Sequence, residues 1–465
     1  MPVRSVLATL VVALLALAGC ATPAAEAGPW PQRPTVDLAF GVAPDLRSVT
    51  GRETVTFTPD RPVCELVFRA WPNAPSPASE GNALTVTDAA VQGRPTAPVV
   101  RSAGAGAGAP GTLVELPLPA CVAAGESVRA ELGFTLRLGE EADERLGTSS
   151  ATGTAWFGSG FPLLAWVRGQ GWVRDDAVAI PGETAVSEDF RLDALRVTAP
   201  AGAAVSGVGQ AEPPAPGPRP DTAVHVFRAD AVRDVSVAVG NYRVLERDLS
   251  DGTRLHLFTP ATGTRVDPQR WAAEIDRALG RLQELLGPFP RRDLWVAIAP
   301  PQSSGIEYPG ALQFGDTAPG DLTQLVSHEV AHQWFYDLVG NDQSRDPWID
   351  EAFTTWAQAV VTGTAEDYAL DNVPDRVRGD LGASMSEWAT RGFGPYNVGV
   401  YTQGAATLLA ARERVGAERF DEAVRAYIAT HAHRVVTPAD VARSFADLPE
   451  VIDELTRAGA LPPPG

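Results

Sequence analysis

The hydrophobic pattern of this 465-residue chain changes in kind about halfway along it. Up to about Arg247, short runs rich in β-branched residues, such as VTGRETVTFTP and SVRAELGFTLRL, alternate with clusters of Gly, Pro, Asp and Asn. Such runs are typical of strands that are joined by turns. The pattern therefore predicts an antiparallel β domain over residues 33–247.

The second half of the chain is expected to begin a different unit. Asp267-Pro268 is a typical helix start, and apolar residues then recur at helical spacing as far as Gly287. The next segment, DLWVAIAP, is typical of a strand, and helical patterns dominate the remainder. We therefore predict a multidomain α+β chain, in which residues 248–465 form an α/β and then helical unit.

The charge of the chain excludes two classes of function. Carboxylates outnumber basic residues 57 to 38, which gives a formal net charge of −19. A nucleic-acid-binding protein needs a basic face, and so does a protein that is held on a membrane by a polybasic patch. We therefore expect no nucleic-acid partner. All the basic residues are arginine, which has GC-rich codons, so the sequence indicates a high-GC bacterial genome.

The amino terminus resembles the leader of a bacterial lipoprotein. A positively charged start precedes an apolar run that is shorter than the ~20 residues a spanning helix needs. The tetrapeptide LAGC resembles a lipobox, so we expect a signal peptide over residues 1–19 and lipidation of Cys20. Residues 20–32 would form a tether. The predicted location is extracytoplasmic, on the cell membrane through the lipid; an ordinary secretory signal is the alternative.

Two further cysteines, Cys64 and Cys121, lie in the predicted β domain. Outside the cytoplasm a disulfide can persist, so we expect a bridge between them. Two buried free thiols remain the alternative, because spacing alone does not establish pairing.

The segment DLTQLVSHEVAHQWFYDLVG predicts a metal site. Its helix is expected to begin after Asp321 and to end near Gly340. The spacing of four places His328 and His332 on one helical face, where both imidazoles can bind one zinc ion. Glu329 lies beside them, in a position to take a proton from a metal-activated water. Two satisfied core histidines are the alternative.

A third ligand is expected from the next helix, which Asp346-Pro347 would begin. Glu351 follows there, so that the whole pattern is HExxH, eighteen residues and Glu. Two histidines and one carboxylate leave the fourth zinc position open, which is typical of a catalytic rather than a structural zinc site. A surface carboxylate with no such role is the alternative.

These residues give the chain a specific resemblance. HEVAHQWFYDLVG…WIDEAF resembles the aminopeptidase N family of zinc metallopeptidases, which are gluzincins related to leukotriene hydrolase. Trp348, Glu351 and Phe353 match the family's W-L-N-E-G-F pattern, from which Asp350 departs. The resemblance implies a thermolysin-like catalytic domain that binds one Zn²⁺ and follows an amino-terminal β domain. We expect no counterpart of the family's large carboxy-terminal helical domain in this sequence.

Two more residues acquire roles through the resemblance. SSGIEYPGALQF is similar to the G-x-M-E-N exopeptidase motif, with Ile306 and Tyr308 as departures. The motif implies an edge strand on which Glu307 faces the substrate's free amino group. In GPYNVGVYTQGAATLL, Tyr401 matches the tyrosine that stabilises the oxyanion, with Tyr396 nearby. A loop glutamate and aromatic residues that pack a helix start are the alternatives. The family's amine-binding residue from the β domain has no recognisable counterpart.

The sequence therefore predicts an extracytoplasmic, lipid-anchored zinc aminopeptidase that removes amino-terminal residues from peptides with a free amino terminus. Two other functions remain open. One is a zinc endopeptidase with the same metal site. The other is a catalytically weak surface lipoprotein that binds peptides or a partner.

Overall fold

The structure is a computed structural model that describes residues 27–180 and 187–463. The predicted signal peptide, Cys20 and the first part of the predicted tether lie outside the described residues. Within these ranges no helix is both long enough and apolar enough to cross a membrane.

The second part of the predicted tether packs on the folded chain. The backbone N–H of Ala27 donates to the carbonyl of Ala429 at 2.9 Å. The guanidinium of Arg434 lies 3.9 Å from the ring centre of Trp30. These contacts join the start of the described chain to its last third.

The described residues of the first half form strands, a 3-10 turn (Trp71–Asn73) and a short α-helix, α1 (Pro75–Ser79). In chain order the strands are β1 (Thr35–Val42), β2 (Ser48–Phe57), β3 (Val63–Arg69), β4 (Ala83–Val91), β5 (Arg94–Pro95), β6 (Val99–Arg101), β7 (Leu113–Val122), β8 (Val128–Arg137), β9 (Leu146–Ser149), β10 (Thr154–Gly158), β11 (Leu163–Leu164), β12 (Trp166–Val167), β13 (Gly171–Trp172), β14 (Phe190–Pro200), β15 (Ala204–Val205), β16 (Gln210–Ala211), β17 (Ala215–Pro216), β18 (Thr222–Val232) and β19 (Ser236–Gly240).

These strands form a large sheet and three smaller ones. The large sheet has the order β16-β18-β14-β1-β2-β8-β4-β5, with β17 also beside β18. The smaller sheets are β15-β19-β10-β9, β11-β3-β7-β6 and the pair β12-β13. Side chains of β1 alternate between partly exposed and buried, as expected of a strand with one face on a core. The predicted fold of the first half, rich in antiparallel strands, is confirmed, and β1 and β14 run parallel to each other.

The two cysteines of the β domain are bonded to each other. Cys64 lies on β3 and Cys121 on β7, and these strands are antiparallel neighbours. The structure joins the two residues in a disulfide.

The second half of the chain contains a mixed sheet and most of the helices. Its elements are β20 (Tyr242–Asp248), β21 (Arg254–Pro260), α2 (Pro268–Leu286), β22 (Asp293–Ile298), β23 (Gly305–Tyr308), β24 (Ala311–Phe314), α3 (Leu322–Ala331), β25 (Val339–Asn341), α4 (Trp348–Thr362), α5 (Met385–Ala389), α6 (Phe393–Asn397), α7 (Gln403–Val415), α8 (Ala417–His431), β26 (Arg434–Val436), α9 (Pro438–Ser444) and α10 (Pro449–Arg457). The order of the sheet is β20-β21-β22-β24-β23.

This sheet lies between the two halves of the molecule. Along β22, Leu294 and Val296 belong to the core that the helices share, whereas Trp295 and Ala297 belong to the core of the β domain. Because successive side chains of a strand point to opposite faces, one face packs on the helices and the other on the β domain. The edge strand β23 is thereby held where both halves meet.

The start of this sheet falls earlier than the predicted domain division. Strand β20 pairs along its whole length with β21, from Tyr242 opposite Pro260 to Asp248 opposite Arg254. The division predicted after residue 247 falls inside this strand, so that residues 242–247 belong to the second sheet. The strand pattern of β20 resembles that of the strands before it, and the pattern alone does not reveal which sheet a strand joins.

Helix α2 has the predicted ends. The side chain of Asp267 accepts a hydrogen bond from the backbone N–H of Gln269 at 2.8 Å, and Pro268 occupies the first turn. Gly287 ends the helix with a φ of 103°. The helix prediction from this pattern is confirmed.

The predicted end of α3 and the predicted cap of α4 were wrong. Helix α3 ends at Ala331, and Gly340 lies in strand β25. After the helix, Nδ1 of His332 lies 3.0 Å from the carbonyl of Phe335, and Tyr336 adopts a φ of 113°. Pro347, not Asp346, occupies the position before the first residue of α4, and it makes no side-chain capping hydrogen bond.

Candidate metallopeptidase site

Helices α3 and α4 bring the three predicted metal ligands together. The Nε2 atoms of His328 and His332 lie 3.3 Å apart. One carboxylate oxygen of Glu351, Oε2, lies 3.2 Å from the first of these nitrogens and 3.6 Å from the second. The ligand atoms therefore converge on one point, where the sequence predicted that His328, His332 and Glu351 would meet.

Hydrogen bonds fix which imidazole nitrogens face that point. Nδ1 of His328 lies 3.1 Å from Oε1 of Gln358, and Nδ1 of His332 lies 3.0 Å from the carbonyl of Phe335. Both partners are oxygen acceptors, so each Nδ1 carries the hydrogen and each Nε2 keeps its lone pair. A metal-binding histidine is commonly oriented in this way.

The burial of the two histidines also favours neutral imidazoles, whose Nε2 lone pairs can bind a metal. Burial lowers the pKa of His328 to about 3, and the neighbouring imidazole adds to the effect. Burial also lowers the pKa of His332 to about 4. Two neutral imidazoles and one carboxylate form the donor set of a catalytic zinc site, so these side chains fit one Zn²⁺.

Glu329 projects from α3 into the same cleft, which has a volume of about 540 Å³. Its side chain packs over Gly305 of β23, where an added Cβ would lie 2.4 Å from Cγ of Glu329. The glycine of the exopeptidase-like motif therefore leaves room for the carboxylate. This arrangement places Glu329 next to the metal triad, as a proton acceptor there must be.

Glu307 lies on the edge strand β23, as the resemblance implied. Burial raises the pKa of its carboxyl group, and the positive charge of Arg145 opposes that effect. Nε2 of Gln343 donates to Oε1 of Glu307 at 3.3 Å. A buried carboxylate at the edge of the zinc cleft has the position that amine recognition requires, and its role in binding the amine stays a prediction.

Tyr401 reaches the metal triad from a π-helical turn, Val398–Thr402, between α6 and α7. Its hydroxyl donates to Oε1 of Glu351 at 2.8 Å, and its ring lies nearly parallel to that of His328 at 5.8 Å. Such turns widen a helix locally and often occur at functional sites. Tyr396 is fully buried between Trp388 and the edge of Tyr401. This position agrees with the alternative role of an aromatic residue that packs in the core.

Several residues of the site were missed in the sequence analysis. Glu144 and Arg145 of the β domain line the cleft, and burial raises the pKa of Glu144. Gln358 orients His328, and Gln343 contacts Glu307. None of these residues belongs to a motif that we recognised, and no local pattern distinguishes them from other polar residues.

Comparison with known proteins identifies this domain. Residues 316–457 match the family model described as the Peptidase family M1 domain. The chain is 24% identical over 234 residues to Aminopeptidase M1 of Arabidopsis thaliana, covering 43% of this chain and 26% of the relative. It is 25% identical over 185 residues to Endoplasmic reticulum aminopeptidase 1 of Homo sapiens, covering 35% and 20%. The matches thus span about a quarter of these relatives' length or less.

Solved structures share the fold over nearly the whole chain. The M1 zinc metallopeptidase of Deinococcus radiodurans aligns with a TM-score of 0.66 and 21% identity, over 93% of this chain and 95% of that one. A mutant of the Deinococcus radiodurans M1 zinc metallopeptidase, bound to a Tyr-Ser-Ala substrate, aligns with a TM-score of 0.67 and 19% identity, over 95% and 98%. The match of residues 316–457 to the Peptidase family M1 domain confirms the resemblance to the aminopeptidase N family, and the solved structures show the same fold.

Proposed function

We propose that the protein is a zinc aminopeptidase that removes single residues from the amino terminus of peptides. The observation that carries this proposal is the short distance between Glu307 and the metal triad. A carboxylate oxygen of Glu307 and a ring nitrogen of His332 lie within 4.8 Å of each other. The amine of a peptide is separated from its first carbonyl carbon by two bonds of about 1.5 Å each. An ammonium at Glu307 therefore leaves room for one residue before the bond that is cut.

The residues of the chain divide the chemistry among them. When bound, Zn²⁺ polarises the scissile carbonyl and activates a water. Glu329 takes the proton of the attacking water and returns it to the leaving amine. Tyr401 points its hydroxyl at the same centre, where it can donate to the oxygen that gains negative charge. Glu307 pairs with the substrate's ammonium. The Deinococcus radiodurans M1 zinc metallopeptidase, with its Tyr-Ser-Ala substrate, supports a peptide as the substrate class.

The proposal is tested by comparing aminoacyl coumarin amides with their N-acetylated forms. The wild-type protein should cleave the free-amine substrates, a chelator should abolish the cleavage and added Zn²⁺ should restore it. Acetylation removes the charge that Glu307 requires, so we expect kcat/KM to fall by about 10⁴-fold. Equal cleavage of both forms would favour the endopeptidase alternative. A zinc-loaded protein that cleaves neither form would favour the peptide-binding alternative.

We also propose that the protein is held outside the cytoplasm by a lipid on Cys20. The LAGC leader and the disulfide between Cys64 and Cys121 support this location, because a disulfide persists in an oxidising compartment. In bacterial cells the wild-type protein should partition into the detergent phase of a cloud-point extraction. A Cys20→Ser variant should move to the aqueous phase, and an unchanged distribution would contradict the proposal.

A further inference from the structure

A buried amide connects the predicted amine-binding residue to the helix that carries the third zinc ligand. Gln343 lies between β25 and α4 and is 3% exposed. Its Nε2 donates to Oδ2 of Asp350 at 2.9 Å and to Oε1 of Glu307 at 3.3 Å. The amide group of Gln343 therefore donates one hydrogen to each of two carboxylates.

Asp350 is itself held in place from the other side. Nδ2 of Asn341 donates to Oδ1 of Asp350 at 2.8 Å and to the carbonyl of Asp346 at 3.0 Å. Each oxygen of Asp350 therefore receives an amide donor, and the residue next to the zinc ligand Glu351 has a fixed orientation. Two amides and one carboxylate form a continuous path from the start of α4 to Glu307.

The surroundings of Gln343 explain why a neutral donor suits this position. A carboxylate oxygen of Glu307, one of Asp350 and a ring nitrogen of His332 all lie within 4.8 Å of one another. Two carboxylates this close repel each other in a buried site. An amide that donates to both holds them apart without adding a charge. Each carboxylate oxygen has two lone pairs, so Glu307 keeps acceptor capacity for an ammonium.

We propose that Gln343 is a positioning residue for recognition of the substrate's amino group. By bridging Glu307 to Asp350, it holds the amine-binding carboxylate at a set distance from the metal triad. This inference rests on the proposed aminopeptidase function. The hydrogen bonds of its amide go to Glu307 and Asp350 and not to a residue of the metal triad.

The test measures inhibition by two hydroxamates, leucine hydroxamate and the same molecule without its amino group. Both bind the zinc of the loaded enzyme, and the ratio of their inhibition constants reports binding of the amine alone. A Gln343→Met variant keeps the side-chain length but loses both hydrogens. We expect leucine hydroxamate to bind this variant about tenfold more weakly, because Glu307 loses its hydrogen bond from Gln343 and is no longer held in position. Binding of the deaminated compound should be unchanged. Zinc content should stay at one per chain.

The control variant is Gln403→Met, which also loses a buried amide. Gln403 donates to the carbonyl of Gly399 and accepts from the N–H of Gly379, and it contacts neither carboxylate. The ratio of the two inhibition constants should match the wild type in this variant.

The outcomes separate this inference from the proposed function. A wild-type ratio near one would contradict amine recognition itself, and with it the proposed function. A large wild-type ratio that Gln343→Met leaves unchanged would overturn the positioning role alone. Equal weakening of both compounds, or loss of zinc, would show that Gln343 only supports the fold and would also overturn it.

Discussion

Replacement of Glu329 by Gln should lower kcat for aminoacyl substrates by about 10³-fold while the protein keeps its zinc. The amide has nearly the same shape as the carboxylate but cannot accept a proton from the attacking water. Proton transfer by a positioned side chain typically contributes 10²–10⁴-fold. Glu329 is not one of the three converging ligands, so the metal site should survive the change. The measurement is steady-state kinetics together with zinc analysis of the same preparation.

A matched control lies at the start of the same helix. Asp321 is the residue before α3, is exposed and makes no capping hydrogen bond with its side chain. Asp321→Asn removes a carboxylate of the same helix without touching the cleft, so kcat should stay within about twofold of the wild type. A loss of less than tenfold in zinc-loaded Glu329→Gln would mean that another group accepts the proton. A variant that lost its zinc would point instead to a role in metal binding.

The residues that could be predicted from the sequence are those whose geometry is local. The spacing of four between His328 and His332 fixes their relation on any helix, so the pair needed no tertiary information. Asp267 could be assigned as a cap for the same reason. Glu351 was expected from its place in the next predicted helix, and the resemblance to the family supported this assignment, because spacing alone does not determine the distance between two helices.

The parts that could not be predicted depend on which segments meet in space. Burial raises the pKa of Glu307, which lies in the second sheet, and the positive charge of Arg145, in the β domain, acts to lower it. No local sequence pattern links these two residues. Asp350 was visible as a departure from the family pattern, but its partner Gln343 was not. The turn after α3, in which His332 lies beside the carbonyl of Phe335, was not predicted either, because helix patterns do not encode such a side-chain contact.

A second group of buried charges links the two halves of the molecule. Asp189 and Arg233 of the β domain form an ion pair of 2.9 Å, with side chains 1% and 4% exposed. Nδ1 of His433, which follows α8, lies 2.5 Å from Oδ2 of Asp189. Arg233 also donates from Nε to the carbonyl of Asp337, in the turn after the zinc helix. This pair therefore fixes the β domain against the segments that support the metal site.

Replacement of Asp189 by Asn should lower the free energy of unfolding by about 3 kcal/mol at pH 7. The change leaves the charge of Arg233 buried without its partner, which costs far more than the pair itself contributes. Urea unfolding curves provide the measurement. The control is Asp88→Asn, which breaks the exposed ion pair with Arg52 and should cost less than about 1 kcal/mol. Equal losses in the two variants would contradict the assignment of Asp189 as a link between the two halves.

The free energy of unfolding that Asp189→Asn loses should depend on pH, and the pKa of Asp189 determines in which direction. Burial acts to raise the pKa of Asp189, but Arg233, His433 and Arg291 outweigh it and hold the pKa below its ordinary value. The stabilisation is therefore complete above the unfolded carboxyl pKa of about 3.9, and it disappears as the pH falls through the lower folded value. The difference between wild type and Asp189→Asn should shrink as the pH falls below about 4.

Glu53, also in the β domain, should make stability depend on pH in the opposite direction. Neither oxygen of its carboxyl group has a hydrogen-bond partner among the described residues, and burial raises its pKa well above the ordinary value. Wild-type stability is therefore lost as the pH rises above the unfolded glutamate pKa of about 4.3. Glu53→Gln should be more stable than the wild type, by a margin that grows from pH 4 to pH 7. Parallel pH curves for Glu53→Gln and Asp189→Asn would contradict the assignment of one carboxyl as isolated and the other as paired.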